Sequence, residues 1–318
     1  MGRVRRVVVD TDTGIDDAHA LLYLAGRPDA EIVAITSVFG NCAEEDATRN
    51  IGYVSRLLGL DVPIARGAAE SLAGHAPTTP GAHGSDGLGD RGYHRPLPQV
   101  TAETGAELLV RLADERPGEL DLLALGPLTN LALALRVDPG LLTRYRSVVV
   151  MGGSGPSVEP DWALMADTNI GNDPVAAAAV FSAPRHELVA VGVNVTGVTI
   201  LNETAVAALR AADTPRARFA CEILDTYLDF HQGRWGRRVV PLHDPLAAGI
   251  LLDPSLVIAS VSGPVNVVGE GPLSRARPVS ALGGSPPPLL HEDAPDSKVV
   301  TKVDSARFVV DFVDVLTR

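Results

Sequence analysis

Residues 7–17 read Val7-Val8-Val9-Asp10-Thr11-Asp12-Thr13-Gly14-Ile15-Asp16-Asp17, a β-branched run followed at once by four aspartates. A β-branched run that stops at a turn and opens a helical pattern predicts strand, turn and helix, the unit from which parallel α/β sheets are built. One or two aspartates could cap the helix, whose N-terminus favours negative side chains. Capping does not account for four carboxylates at the end of a buried strand. The segment therefore predicts a site for a hard divalent cation such as Ca²⁺.

The alternation of strand and helix continues along the chain. Strands are predicted at 7–9, 32–35, 120–125, 148–151 and 188–193, and helices at 16–25, 44–58, 103–115 and 128–135. The sequence shows neither a fixed-period repeat nor a Gly/Ser linker. We therefore expect a single α/β domain over residues 1–318, with a mostly parallel, mixed, Rossmann-like sheet flanked by helices.

Composition narrows the possible partners. Hydrophobic residues make up 46% of the 318 residues, enough for a large core, and the net charge of −12 argues against a nucleic acid polymer as partner. Two cysteines fit a reducing compartment. The apolar run near Met1 is too short for a signal peptide or a membrane helix. We expect a cytoplasmic protein that does not bind membranes.

Three Gly/Pro-rich stretches interrupt the pattern, at 68–99, 152–174 and 269–298. In an open α/β sheet the ligand lies beyond the carboxyl ends of the strands, where such loops meet. The first two stretches follow strands and are expected to form the rim of a site. The third is expected to be peripheral.

Two other chemistries use a related aspartate pattern. An EF-hand loop needs Gly and Glu at its sixth and twelfth positions, where this chain has Ile15 and Leu21. A phosphatase of the haloacid-dehalogenase type would use Asp10 as nucleophile and Asp12 as general acid. That chemistry also needs a lysine later in the fold, and both lysines of this chain, Lys298 and Lys302, lie near its end. The phosphatase is the weaker alternative.

The aspartate segment resembles the amino-terminal signature of the nucleoside hydrolases, the inosine–uridine preferring type. Further motifs of that family follow in the same order up to about residue 250: Gly40-Asn41, Thr48-Arg49-Asn50, the loop from His83-Gly84 to Gly87-Leu88-Gly89, Leu125 to Asn130, Met151-Gly152-Gly153, Asp167-Thr168-Asn169, Asp173-Pro174 and His243-Asp244-Pro245. The resemblance implies the nucleoside hydrolase fold and hydrolysis of ribonucleosides to free base and ribose.

The resemblance also implies roles for individual residues. One Ca²⁺ would be held by Asp12, Asp17, Asp244 and the backbone carbonyl of Leu125. Asp12 would also act as general base on a calcium-bound water, and His243 as proton donor to the departing base. The expected substrate-binding residues are Asp16, Asn41, His83, Met151, Asp161, Asp167 and Asn169. Tyr227 and Trp235, in the helical stretch before His243, are candidates for the base side of the pocket.

Three positions depart from the family pattern. Asp167 replaces a glutamate that reaches the ribose 5′-hydroxyl, Asp161 stands near a family asparagine, and Asn194 replaces a common aspartate. We expect intact calcium chemistry with an altered 5′ specificity. The alternatives are a hydrolase of another nucleoside-like ligand and a binding protein without turnover. The resemblance further implies a homodimer or homotetramer and a role in nucleoside salvage.

Overall fold

The computed structural model describes residues 4–76, 81–155, 167–268, 275–278 and 294–318. The strands are β1 (Arg5–Thr11), β2 (Ala30–Ser37), β3 (Ile64–Ala65), β4 (Leu120–Ala124), β5 (Ser147–Met151), β6 (Leu188–Val191), β7 (Ile200–Leu201), β8 (Val240–Pro241), β9 (Val257–Gly263), β10 (Val265–Val268), β11 (Arg275–Pro278) and β12 (Ser297–Val303). The α-helices are α1 (Ile15–Gly26), α2 (Glu44–Leu58), α3 (Gly105–Glu115), α4 (Thr129–Val137), α5 (Thr168–Asn172), α6 (Pro174–Ser182), α7 (Val193–Thr196), α8 (Glu203–Ala211), α9 (Pro215–Trp235), α10 (His243–Leu252) and α11 (Ser305–Thr317).

The central sheet has eight strands in the order β3-β2-β1-β4-β5-β6-β12-β9. All neighbours pair in parallel except β9, which runs antiparallel to β12 at the edge. The expected mostly parallel mixed sheet is therefore confirmed. A parallel sheet is covered on both faces, which explains why its central strands are continuous apolar runs.

Strand β1 contributes to the cores on both faces of the sheet. Val7 and Val9 pack in one apolar cluster and Val8 in the other, as the two-residue period of a strand requires. Helices α1, α9, α10 and α11 supply the first cluster, and α3, α4 and α6 the second. This packing fixes the position of the carboxyl end of β1 and of the aspartates there, on the side of the sheet where the parallel strands end.

The predicted strands and helices are all present, and α2 matches its predicted bounds. The third Gly/Pro-rich stretch was predicted to run to residue 298 and to be peripheral. That is wrong for its last two residues, because β12 begins at Ser297 and lies in the sheet between β6 and β9. Its sequence, Ser-Lys-Val-Val-Thr-Lys-Val, mixes polar and apolar residues rather than forming one apolar run. Among the described residues, no helix is long and apolar enough to cross a membrane.

Candidate active site

Three buried carboxylates meet where α1 and α10 begin. These two helices pack against each other, and the first turn of α1 carries Asp16 and Asp17 while that of α10 carries Asp244. One oxygen of each carboxylate lies within 4.8 Å of the other two. Burial raises the pKa of Asp16 to about 6, and burial together with repulsion raises the pKa of Asp17 and Asp244. Such a cluster is stabilised by a cation.

The chemistry of this donor set fits a hard cation. All three groups are oxygen donors, which Ca²⁺ and Mg²⁺ prefer. Oδ1 of Asp16 is buried and has no hydrogen-bond partner among the described residues, so it keeps its acceptor capacity for a ligand. The trio can therefore hold a metal ion.

Asp12 lies beside the trio and is held by Asn41. The backbone N–H of Asn41 donates to Asp12 Oδ2 at 2.7 Å, and its side-chain Nδ2 lies 3.1 Å from Asp12 Oδ1. The same Nδ2 lies 2.9 Å from Asp17 Oδ2. Gly40 allows this approach, because a Cβ at that position would collide with Asp12 Oδ2. The trio therefore contains Asp16, which was expected to bind ribose rather than the metal. Asp12, which was expected to bind the metal, directs both carboxylate oxygens toward Asn41.

The first aspartate of the motif, Asp10, is held by hydrogen bonds within the protein core. Asn130 Nδ2 donates to its Oδ1 at 2.7 Å, the Thr36 hydroxyl donates to the same oxygen, and its carbonyl accepts from the Leu125 backbone N–H at 2.8 Å. Burial raises its pKa to about 7. The side chain is fully enclosed, which leaves it without the access that a phosphatase nucleophile needs.

A cleft of about 790 Å³, including space open to solvent, lies above the carboxylates. The expected site residues that line it are Asp16, Asn41, His83, Leu125, Met151, Asp167, Asn169, His243 and Asp244. Asp12 and Asp17 do not line it and are buried behind Asn41. Asp161 lies outside the described residues.

Asp167 and Asn169, the two described residues of the second Gly/Pro-rich stretch that are expected to contact the sugar, also make local hydrogen bonds. Asn169 Nδ2 donates to the carbonyls of Leu125 at 2.6 Å and Met151 at 3.0 Å. Asp167 Oδ2 accepts from the backbone N–H of Ile170 at 2.7 Å and so caps α5. Of the described residues of this stretch, Asp167, Thr168 and Asn169 line the cleft.

His243 lies at the start of α10 with its Nδ1 2.7 Å from the Thr196 hydroxyl. Burial, with smaller contributions from His231 and His83, lowers the pKa of His243 to about 3. The ring is therefore neutral near neutral pH. Thr196, which orients it, was not identified from the sequence, where a lone threonine gives no signal.

One face of α9 lines the cleft. Tyr227 and Trp235 line it as expected, and Phe230, His231 and Arg234 join them. Residues spaced by three, four, seven and eight positions share one side of a helix, so this stripe could have been found from its spacing. A stripe of aromatic residues is also what a core helix shows, and from the sequence only Tyr227 and Trp235 were candidates.

Comparisons with known proteins agree with this geometry. Residues 7–310 match the family model of the inosine-uridine preferring nucleoside hydrolases. The chain is 36% identical over 255 residues to a probable uridine nucleosidase 2 of Oryza sativa subsp. japonica, covering 78% of this chain and 74% of the relative. It is 31% identical over 317 residues to the inosine-uridine preferring nucleoside hydrolase of Crithidia fasciculata, covering 99% and 98% of the two chains.

The solved structures give the same result for the fold. A plant nucleoside hydrolase superposes with a TM-score of 0.89 at 28% identity, over 98% of this chain and 99% of that one. The relatives are named nucleoside hydrolases and nucleosidases, enzymes that hydrolyse N-glycosidic bonds. With the motifs, the buried carboxylates and the match across the chain in agreement, this protein belongs to the inosine-uridine preferring nucleoside hydrolase family.

Proposed function

We propose that this enzyme hydrolyses uridine and inosine to the free base and ribose. The observation that carries the proposal is that one cleft is lined both by carboxylates and amides and by aromatic side chains of α9, namely Asp16, Asn41, Asn169 and Asp244 together with Tyr227, Phe230 and Trp235. Carboxylates and amides bind a polyhydroxylated sugar, and flat aromatic rings bind a flat base. Relatives named for uridine and for inosine and uridine support this choice of substrates.

We infer that the metal of this metal-dependent family is Ca²⁺ in this protein. Asp12, Asp17, Asp244 and the Leu125 carbonyl are the proposed ligands, and the free Oδ1 of Asp16 supports an oxygen-rich site. A calcium ion bound there would orient the ribose hydroxyls and lower the pKa of a water.

Asp12 is the proposed general base. Burial and the charge of Asp17 raise its pKa well above the ordinary value, which makes the carboxylate a stronger proton acceptor. As the C1′–N bond breaks, its electron pair leaves with the base and positive charge develops on the ribose ring. Water oxygen bonds to C1′ while Asp12 takes one of its protons.

His243 is the proposed donor to the departing base. Its low pKa means that it is neutral near neutral pH, so it would act through a ring N–H. The Thr196 hydroxyl at Nδ1 fixes the orientation of the ring. The departing base takes this ring proton while the ring is reprotonated from solvent, so that no imidazolate is left, and the proton taken by Asp12 returns to solvent.

We also propose that the 5′ end of the ribose is recognised differently from the common family pattern. Asp167 is shorter than glutamate, and its Oδ2 is already engaged in capping α5. Asn41, Asp16 and Asn169 are proposed to bind the remaining sugar hydroxyls, while His83 and Met151 line the cleft around them. Asp161 remains a predicted contact.

The remaining expectations rest on the resemblance. We propose that residues 1–318 form one domain, that the enzyme acts as a homodimer or homotetramer, and that it serves nucleoside salvage in the cytoplasm. Size-exclusion chromatography with light scattering measures the subunit number directly.

The function is tested by release of reducing sugar from inosine, adenosine, guanosine, uridine, cytidine and 5′-modified analogues. We expect release from uridine and inosine that stops with a chelator and returns with added Ca²⁺. Absence of sugar release from every nucleoside, despite stoichiometric calcium binding, would contradict the proposal. Full activity in the chelator would contradict the role of the metal.

A further inference from the structure

Two histidines that line the cleft, His83 and His231, have ring protons whose positions follow from their backbone contacts. The backbone N–H of Ile15 donates to Nδ1 of His83 at 3.1 Å, so this nitrogen carries no proton. Nδ1 of His231 lies 2.9 Å from the Tyr227 carbonyl, which can only accept, so this nitrogen carries the proton. In their neutral forms the two rings present opposite groups at Nε2. His83 offers an N–H and His231 a lone pair.

Both histidine rings pack against the ring of Tyr227. Its ring centroid lies 5.1 Å from that of His83 and 4.5 Å from that of His231. The Trp235 ring packs against His231 at 4.4 Å. Both histidines are almost fully buried yet line the cleft, and in the described part of the chain neither Nε2 has a hydrogen-bond partner. Burial lowers the pKa of His231 to about 4, which keeps its ring neutral.

We infer that His231 is a specificity-determining residue that accepts a hydrogen bond from a ring N–H of the nucleobase, while His83 donates to the adjacent carbonyl. This inference rests on the proposed function and names the chemical class of base that the cleft selects. Uracil and hypoxanthine each carry a ring N–H next to a carbonyl. This edge is common to a pyrimidine and a purine, so both kinds of base can offer the matching pair of groups.

The same pair of histidines disfavours amino bases. Cytosine and adenine carry a ring nitrogen lone pair next to an amino group, so the donor and acceptor are exchanged. Their ring lone pair would face the lone pair of His231, and their amino group would face the N–H of His83. Specificity then arises from mismatched polar groups in a desolvated site as well as from matched ones.

The test compares kcat/KM for uridine, N3-methyluridine and cytidine in the wild type, His231→Phe and His231→Gln. Phenylalanine keeps a flat ring between Tyr227 and Trp235 but removes the acceptor. We expect the wild type to prefer uridine over N3-methyluridine by about tenfold or more, the effect of one buried hydrogen bond. In His231→Phe we expect kcat/KM for uridine to fall while kcat/KM for N3-methyluridine does not, so that the preference for uridine disappears.

The glutamine variant provides a second, independent readout. Its side-chain amide can turn to offer either an N–H or a carbonyl, so cytidine hydrolysis rises relative to uridine hydrolysis. A general loss of packing would lower both substrates together. His94→Gln is the matched control, because His94 is exposed and does not line the cleft. Its ratios should equal those of the wild type.

The outcomes separate this inference from the proposed function. Unchanged uridine-to-N3-methyluridine ratios in a folded His231→Phe enzyme overturn the inference and leave the proposed function intact. If His231→Phe does not fold, an unchanged cytidine-to-uridine ratio in His231→Gln overturns it instead. A wild type that hydrolyses neither uridine nor inosine overturns the proposed function, and the inference with it.

Discussion

Asn41 holds Asp12 at both carboxylate oxygens, from its backbone N–H to Oδ2 at 2.7 Å and from its side-chain Nδ2 to Oδ1 at 3.1 Å. Because the same Nδ2 reaches Asp17, one amide lies between two carboxylates that repel each other. A neutral amide can do this without adding charge to the site. The position of the proposed general base therefore depends on a residue from the loop after β2.

Asn41→Ala tests this dependence. The backbone N–H remains, but the side-chain donor to both carboxylates is lost, so Asp12 is held less firmly. We expect kcat for uridine to fall by about 10- to 100-fold, the usual scale for a misplaced catalytic group. Asn41→Asp keeps the shape, loses the donor and adds a charge, so it should be impaired at least as strongly. An Asn41→Asp enzyme with wild-type kcat would contradict the role of the amide.

Asp12→Asn should separate activity from stability. Removing the proposed base lowers kcat by about 10²- to 10⁴-fold. Because burial and Asp17 disfavour the charge on Asp12, the neutral amide should raise the free energy of unfolding in chelator by on the order of 1–3 kcal/mol. Urea unfolding measures this difference. Asp213→Asn, at an exposed side chain, is the control and should change neither quantity. A metal-free Asp12→Asn protein less stable than the wild type would contradict the repulsion argument.

Calcium should stabilise the folded protein through the buried trio. A ligand that binds only the folded state at about 100 times its Kd adds about 2.7 kcal/mol to the free energy of unfolding. We expect Ca²⁺ to raise the Tm of the wild type measured by calorimetry. Asp244→Asn removes one member of the trio and should lose most of this increase. An equal increase in both proteins would place the calcium site elsewhere.

Asp167→Glu should have opposite effects on activity and stability. The longer side chain reaches further toward the 5′ end of the sugar, so turnover of unmodified uridine should improve. It also disturbs the cap of α5, which should cost about 1 kcal/mol of stability. Asn202→Ala, which removes the cap of α8, is the control and should lose similar stability with unchanged turnover. If the Asp167→Glu enzyme hydrolyses uridine no faster and 5′-modified nucleosides no slower, the altered 5′ specificity is contradicted.

His231 should make the fold sensitive to acid. Burial, with smaller contributions from His83 and Arg234, lowers its pKa to about 4 from the ordinary 6.5, so the unfolded chain binds the proton more tightly. The stability that depends on its neutral form is complete above pH 6.5 and is lost as the pH falls toward 4. His231→Gln does not titrate, so across that range it should lose less free energy of unfolding than the wild type, by on the order of 2 kcal/mol. Urea unfolding at both ends of the range measures this, and parallel losses would contradict it.

Much of the fold is encoded locally and was predictable. The apolar runs of β1, β2, β4, β5 and β6 are buried on both faces, so they differ clearly from the amphipathic helices between them. The aspartate motif and the His243-Asp244 pair were also visible, because each lies at the start of a helix, while the His83 loop was visible only through its glycine-rich motif.

Strand β12 and the role of α9 in lining the cleft were harder to predict, because their sequences do not indicate what they pack against. The mixed sequence of β12 becomes a strand only through pairing with β6 and β9. The stripe from Tyr227 to Trp235 reads equally as core. Its position against the cleft is fixed by packing on α1 and α2.

The sequence by itself determined the strand–helix order, the acidic motif and the family, since these depend on short-range patterns of residue type. Only the tertiary structure decided that Asp16 joins Asp17 and Asp244 while Asp12 turns to Asn41. It also decided which nitrogen of His83 and of His231 carries the proton. The physical reason is that burial and hydrogen bonding depend on groups brought together from distant parts of the chain, and these contacts set the charge, orientation and proton positions of the site.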